Sequence, residues 1–133
     1  LVGSEMCIRD RFASHRKLNH LIVFTDYNKM QLDGPVEEVS GLEPLTDKWR
    51  AFGFYVQSVD GHDVEAIDEA ITKAKESKEK PSMIILHTLK GKGVSFLEAK
   101  WKNNHNVTIS PEERRSALEE LKEGDEPCMK TQR

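Results

Sequence analysis

The residues whose types could do chemistry gather in three turn-rich segments, which follow Thr25, Val59 and Thr88. Each segment comes after an apolar, β-rich run. In an open parallel sheet ligands bind beyond the carboxyl ends of the strands, so these segments would share one ligand-bearing rim. Taken alone, Asn28 is an ordinary turn former, since asparagine is common after strands. The Lys90–Gly93 loop lacks the spacing of a phosphate-binding P-loop, and we therefore do not interpret it as a nucleotide site.

The rim must be positioned by strands, and the hydrophobic pattern predicts three of them. Short apolar runs occur within Leu18–Thr25, Phe54–Val59 and Ser82–Thr88. The first contains four consecutive apolar residues, Leu21–Phe24, a pattern typical of a strand that is buried on both faces of a sheet.

Helical patterns occupy the segments between and after these strands. Ser40 and Glu43 have the spacing of a capping box, which predicts a helix from Ser40 to Gly53 with apolar positions three and four residues apart: Leu42, Leu45, Trp49 and Phe52. A second amphipathic helix is predicted from Val64. A third is predicted from Ser110–Glu113, which combines a serine cap, a proline at the first helical position and a glutamate at the third.

Alternating strands and helices predict an α/β fold with a parallel, doubly wound sheet. Three strands are few for such a sheet, so we expect a truncated domain, or one that borrows strands from a partner. Residues 1–11 resemble the translation of a sequencing adapter that was read as part of the gene, and we expect them to be a non-native leader. Residues 12–122 would form the partial domain, and the polar segment 123–133 would be a disordered tail.

Composition excludes several classes of protein. The chain has 133 residues, of which 32% are charged, with a net charge of −3 and a mean hydropathy of −0.63. This balance argues against a nucleic-acid binder, which usually carries a strongly basic face. No apolar run approaches the length of about 18 residues that a membrane span requires. Cys7 and Cys128 are too far apart in sequence to indicate a disulfide framework or a zinc site, so we expect a reducing, cytoplasmic setting.

Several motifs in a fixed order resemble transketolase. They are the strand followed by Asp-x-Asn-Lys-Met-x-Leu-Asp-Gly at 26–34, the helix with Trp49, Val-Asp-Gly-His-Asp at 59–63 and His-Thr-Leu-Lys-Gly-Lys-Gly-Val-Ser-Phe at 87–96. The likeness extends from about Leu18 to Leu121 and is strongest to the separately encoded N-terminal subunit. It implies a thiamine diphosphate-binding fold, and a transferase that moves two-carbon ketol units between sugar phosphates in the pentose phosphate pathway.

The resemblance also implies roles for individual residues. The Asn28 side chain and the Met30 carbonyl would ligate a divalent metal, Mg²⁺ or else Ca²⁺ or Mn²⁺, and Leu32 would lie near the thiazolium ring of thiamine diphosphate. His105 would lie near the diphosphate and act in catalysis, although no glycine follows it as one does in the family. The Lys90–Gly93 loop would be a mobile lid. Neutral oxygen donors suit a hard cation that is shared with phosphates.

The Gly-Asp-Gly half of the family's cofactor motif is absent from this sequence. We therefore expect weak cofactor binding and no activity from this chain alone. The resemblance implies a partner, the C-terminal pyrimidine-binding subunit, and a quaternary structure that is a dimer of such halves. Three alternatives stay open: a 1-deoxy-D-xylulose-5-phosphate synthase-like fragment, a non-catalytic α/β fragment that only binds a partner, and a small α/β nucleotide binder.

Overall fold

The computed structural model describes residues 2–100 and 105–124. In chain order, the elements are α1 (Val2–His15), β1 (Ile22–Tyr27), β2 (Met30–Gln31), β3 (Gly34–Pro35), α2 (Val36–Val39), α3 (Leu45–Ala51), β4 (Tyr55–Asp60), α4 (Val64–Glu76), β5 (Ser82–His87), α5 (Ser95–Ala99) and α6 (Pro111–Gly124). The chain divides into two compact units. Unit 1 comprises the described residues up to 29 together with 36–88, and unit 2 comprises 30–35 together with the described residues from 89 onward.

The core of unit 1 is a parallel three-stranded sheet in the order β1-β5-β4. The central strand β5 carries the fully buried side chains Met83, Ile84 and Ile85. Because successive side chains alternate between the faces of a strand, these residues contribute to two clusters. Met83 and Ile85 pack with α1, α3 and Phe54, whereas Ile84 packs with Ala70 and Ala74 of α4. Helices therefore cover both faces, which confirms the doubly wound α/β class.

The first strand is less buried than its apolar run predicted. Strand β1 lies at an edge of the sheet, and its Phe24 side chain is 45% exposed. Strand β5, in the middle, is the one buried on both faces. An exposed phenylalanine on an edge strand agrees with the expectation of a truncated sheet.

The helix predicted from Ser40 begins later, at Leu45 with Pro44 as its N-cap residue. Ser40 instead closes the short helix α2 by donating its backbone N–H to the Val36 carbonyl. Proline disfavours helical backbone in the residue before it, so Glu43 cannot occupy the third position of a helix that continues through Pro44. The capping box at Ser40 and Glu43 is therefore wrong, whereas the predicted end at Gly53 is confirmed by its positive φ of 91°.

The other predicted helix starts are confirmed. Asp63 caps α4 by accepting a hydrogen bond from the Ala66 backbone N–H at 3.0 Å. At α6, in unit 2, the Ser110 hydroxyl accepts from the Glu113 N–H at 3.1 Å, and the Glu113 carboxylate accepts from the Ser110 N–H at 2.9 Å. This reciprocal pair is the capping box that the sequence pattern predicted.

Helix α1 was not predicted from the sequence. It runs from Val2 to His15, so the expected boundary of the leader at residue 11 falls inside it, and Asp10 and Ala13 are buried. The native or non-native origin of 1–11 stays a prediction. Most of the expected tail, residues 125–133, lies outside the described residues. Among the described helices, none has the length and apolar content needed to cross a membrane.

Candidate functional site

The three strand ends of unit 1 lie in register at one rim. Tyr27 and Asp60, the last residues of β1 and β4, both pair with His87 at the end of β5. The Gly61 N–H donates to the His87 carbonyl at 2.8 Å, which extends the pairing of β4 and β5 past the strand end. This carboxyl rim is where the parallel-sheet rule places a ligand.

Tyr27 anchors the β1 side of the rim. Its side chain is only 4% exposed, and its hydroxyl donates a 2.7 Å hydrogen bond to the Glu43 carboxylate. The other oxygen of Glu43 accepts from the Leu45 N–H at 2.9 Å, at the start of α3. These two hydrogen bonds, the Leu45 one first, hold the pKa of Glu43 below its usual range. The same carboxylate, with burial and nearby negative charge, raises the pKa of Tyr27 to about 12, so the phenol is a donor at neutral pH.

Side chains of neighbouring strands interlock at the rim. The His87 ring contacts the Tyr27 ring edge-on, with centroids 5.7 Å apart, and its Nε2 lies 2.6 Å from the Ser58 Oγ. The Thr88 hydroxyl donates to the Asp26 carboxylate. His87 therefore has partners on both neighbouring strands.

Asn28 follows Tyr27 directly and is half-buried. On its other side, Lys29 has a positive φ of 60°, an uncommon conformation for a residue other than glycine. The Lys29 carbonyl accepts a hydrogen bond from the Val36 N–H at 3.0 Å. The backbone is thus fixed on both sides of Asn28, by a buried strand end and by a hydrogen-bonded turn.

The remaining predicted site residues belong to unit 2. Met30 begins β2, which pairs with β3 in a two-stranded antiparallel hairpin. Leu32 lies between these strands and is 64% exposed. His105 is also exposed, and residues 101–104 before it lie outside the described residues. The roles of Met30, Leu32 and His105 stay predictions.

The predicted lid at Lys90–Gly93 forms turns. The Val94 N–H donates to the Gly91 carbonyl at 3.1 Å, and the Gly93 N–H donates to the Glu98 carboxylate at 2.8 Å. The structure thus shows a turn that is hydrogen-bonded to the helix after it, while movement of this loop stays a prediction.

The donor chemistry of the Asn28 segment can be compared with the metal that the resemblance implies. An amide oxygen fits one position in the oxygen shell of Mg²⁺, which takes about six ligands and retains several waters. Across 2–100 and 105–124, no three His, Cys, Asp or Glu side chains lie close enough to hold a metal ion. The metal role of Asn28 stays a prediction.

Sequence reasoning missed the part that Tyr27 and Glu43 play at this rim. Tyr27 was expected in the loop after the first strand, and Glu43 in a capping box. The proline after Glu43 was a usable signal against a helix there. No local pattern linked Glu43 to Tyr27, because the two residues are 16 positions apart.

The fold and the rim define a parallel α/β domain that presents polar groups beyond its strand ends. The particular family follows from comparison with known proteins. The family described as "Transketolase, thiamine diphosphate binding domain" matches residues 2–126. The chain belongs to this family, which confirms the resemblance drawn from its motifs.

Individual relatives agree with this assignment. The chain is 55% identical over 114 residues to the 6-deoxy-6-sulfo-D-fructose transketolase subunit SqwG of Clostridium sp. (strain MSTE9), covering 85% of this chain and 41% of that protein. It is 37% identical over 116 residues to an apulose-4-phosphate transketolase subunit from Phocaeicola vulgatus, covering 86% of this chain and 40% of that protein. The chain thus spans about two fifths of the length of these relatives.

Solved structures show the same fold. Transketolase from Leishmania mexicana superposes with a TM-score of 0.61 at 26% identity, over 86% of this chain and 20% of that one. The R525L variant of the Pichia stipitis enzyme gives a TM-score of 0.60 at 25% identity, with the same coverage of both chains.

Proposed function

We propose that this chain is part of a transketolase-type transferase that moves a two-carbon ketol unit between sugar phosphates. Thiamine diphosphate would supply the electron sink for this chemistry, and a divalent metal such as Mg²⁺ would neutralise its diphosphate. The role of this chain would be to orient the diphosphate end of the cofactor. Membership of the thiamine diphosphate-binding family supports the cofactor.

One observation carries the metal assignment, and it is the position of Asn28. The residue directly follows the end of β1, and the parallel-sheet rule places ligands at this rim. Its backbone is fixed by Tyr27 before it and by the Lys29–Val36 hydrogen bond after it. A fixed backbone limits the positions that the Asn28 amide can reach, which favours a defined ligand geometry. The carbonyl of Met30 is proposed as a second ligand on resemblance alone.

The rest of the active centre would come from outside this chain. We propose that the Gly-Asp-Gly segment supplies the acidic metal ligand, and that a separate pyrimidine-binding subunit completes the cofactor site. Two relatives whose names describe them as transketolase subunits support a multi-subunit enzyme. Leu32 and His105 would meet the thiazolium ring and the diphosphate only in that complete assembly, which we expect to be a cytoplasmic dimer of halves.

A second candidate differs in the donor sugar. The relative with 55% identity is named for 6-deoxy-6-sulfo-D-fructose, which carries a sulfonate where the sugar phosphates carry a phosphate. The same two-carbon transfer from that sulfo-sugar is therefore the second candidate function. Activity assays with fructose 6-phosphate and with 6-deoxy-6-sulfo-D-fructose, on the complete enzyme, distinguish the two donors.

The experiment that tests the proposed function measures thiamine diphosphate binding by calorimetry. The chain should be joined to its upstream segment and combined with the pyrimidine-binding subunit, with and without Mg²⁺. We expect Mg²⁺-dependent binding that weakens at least about 10-fold in Asn28→Ala, because one metal ligand is lost. Asn19→Ala is the matched control, since Asn19 lies before β1 and bonds the Lys78 carbonyl. Equal affinity in both variants would refute the assignment of Asn28.

A further inference from the structure

The face of the sheet that carries α4 is covered only in part. Helix α4 packs over β4 and β5, because Ala70 lies in one cluster with Ile84 and its carbonyl accepts a 2.7 Å hydrogen bond from the Gln57 side chain. On the same face of β1, Phe24 is 45% exposed. A cavity of about 350 Å³ lies beside Ile22, between the start of β1 and the end of α4. This half of the face therefore has both an exposed apolar side chain and a space that an apolar side chain can fill.

The backbone of β1 has an outer edge to which another strand can bind. Among residues 2–100 and 105–124, β1 pairs with β5 and with no other strand. The Leu21 carbonyl accepts from the Ser82 N–H at 2.9 Å and so points toward β5. Because backbone groups alternate in direction along a strand, those of Ile22 and Phe24 point away from β5. The strand also lacks proline and lysine, which commonly protect an edge against pairing.

We propose that β1 binds β1 of a second copy of this chain, as an antiparallel pair with a twofold axis at Val23. This register sets Ile22 of each copy opposite Phe24 of the other, since a twofold interface uses every contact twice. Each exposed Phe24 side chain then lies beside the cavity at Ile22 of the other copy. Both residues have outward backbone groups, so they exchange the paired hydrogen bonds of an antiparallel ladder.

The side chains of β1 favour this register over its neighbours. An axis one residue further along the strand would set the Asp26 carboxylate against Ile22, and an axis one residue earlier would extend the ladder into the turn before β1. With the axis at Val23, Asp26 instead lies opposite His20, whose ring N–H can donate to a carboxylate. His20 lines the same cavity as Ile22, which places both side chains on the open face. Apolar residues thus meet apolar residues, and the acid meets a donor.

The first test measures self-association of the full chain by sedimentation equilibrium. One strand pair forms a small interface, so we expect a monomer–dimer equilibrium with a Kd on the order of 10 µM. Phe24→Lys should raise this Kd at least about 10-fold, because it removes the apolar side chain that is buried against Ile22. Val64→Lys is the matched control, since Val64 is 78% exposed at the start of α4, and its Kd should stay within about twofold.

A second test examines the register and does not depend on Phe24→Lys being folded. It uses a background in which Cys7 and Cys128 are replaced by serine. At the axis the two Val23 residues form a non-hydrogen-bonded pair with Cα atoms about 4.5 Å apart, within the range of a disulfide. Oxidation should therefore link Val23→Cys into a dimer. Thr25→Cys is on the same face but should not be linked, because Thr25 lies opposite Leu21 and its two copies are about 13 Å apart.

Three results would overturn the inference. One is a chain that stays monomeric at about 10 times the expected Kd, and another is a dimer whose Kd is equally affected by Phe24→Lys and Val64→Lys. The third is cross-linking of Thr25→Cys in preference to Val23→Cys. If the chain is monomeric and the Phe24 N–H becomes protected from hydrogen exchange only after the upstream segment is joined, that segment occupies the edge instead of a second copy. No cofactor or substrate enters these tests, so their outcome is independent of the proposed function.

Discussion

Gly61 lies where β4 and β5 meet at the rim, and replacing it with alanine should destabilise unit 1. A Cβ at this position would lie 2.4 Å from Thr88 Cγ2, 3.0 Å from Leu86 Cβ and 3.1 Å from the His87 carbonyl oxygen. The backbone of Gly61 is not in the left-handed region, so the cost is steric rather than conformational. The contact with Thr88 is about 1 Å shorter than ordinary van der Waals contact, so either the Thr88 side chain or the backbone beside it must shift.

The neighbours of Gly61 have little freedom to move away. Leu86 and His87 belong to the central strand, and the Thr88 side chain is held by its hydrogen bond to Asp26. Overpacking a closely packed site costs about 1–3 kcal/mol. With two of the three contacts to fixed atoms, we expect a loss of about 2 kcal/mol in the free energy of unfolding for Gly61→Ala.

Urea-induced unfolding of the chain, followed by circular dichroism, measures this loss. Gly41→Ala is the matched control, because a Cβ there would meet nothing within 4 Å, and alanine should stabilise by about 0.5 kcal/mol through the unfolded state. Thr88→Ser removes the closest methyl group but keeps the hydroxyl, so combining it with Gly61→Ala should recover at least about 0.5 kcal/mol. The steric explanation fails if the Gly61→Ala and Gly41→Ala proteins have the same free energy of unfolding and the same dependence of that free energy on urea concentration.

Two further predictions concern the turn at Lys29 and the cap of α6. Lys29 adopts a φ of 60°, a conformation that glycine tolerates and a β-branched residue does not. Lys29→Gly should therefore leave the free energy of unfolding unchanged or raise it, whereas Lys29→Val should lower it by about 1–2 kcal/mol. Equal free energies of unfolding for the two variants in urea would contradict this. The hydrogen bond from the Ser110 N–H, with smaller help from Lys100, lowers the pKa of Glu113. The stabilisation of α6 by this carboxylate should therefore be complete above the unfolded-state pKa of about 4.3 and be lost as the pH falls through the lower folded-state value. Glu113→Gln keeps a hydrogen-bond acceptor at the cap but removes its charge. If circular dichroism shows that the helicity of both proteins falls equally as the pH is lowered, this linkage is wrong.

Much of the fold of unit 1 could be predicted from the sequence. The apolar runs around Val23 and Ile85 predicted strands, and the predicted helix starting at Val64 is present with Asp63 as its cap. These features depend on residues that are close in sequence, where periodicity and capping preferences act directly. The predicted start of the helix at Ser40 was wrong, because Pro44 disfavours helical backbone at Glu43 and the helix begins only at Leu45.

The candidate site was predictable only in part. Asn28 was predicted as a site residue from the motif around it, and it lies directly after the end of β1 at the rim. The metal and substrate that it would serve stay proposals. The pairing of Tyr27 with Glu43 could not be predicted, because a hydrogen bond between residues in different elements leaves no periodic signal in either one.

The sequence by itself determined the α/β class, the position of the turn that contains Asn28 and the family, because these depend on local patterns and on the order of motifs. Only the tertiary structure decided that β5 is the central strand and that β1 is an edge strand with Phe24 exposed. Both strands contain continuous apolar runs, and strand order depends on which helices pack against which face. The hydrogen-bonded connection from Glu43 to Tyr27 likewise exists only once β1 and α3 have packed together.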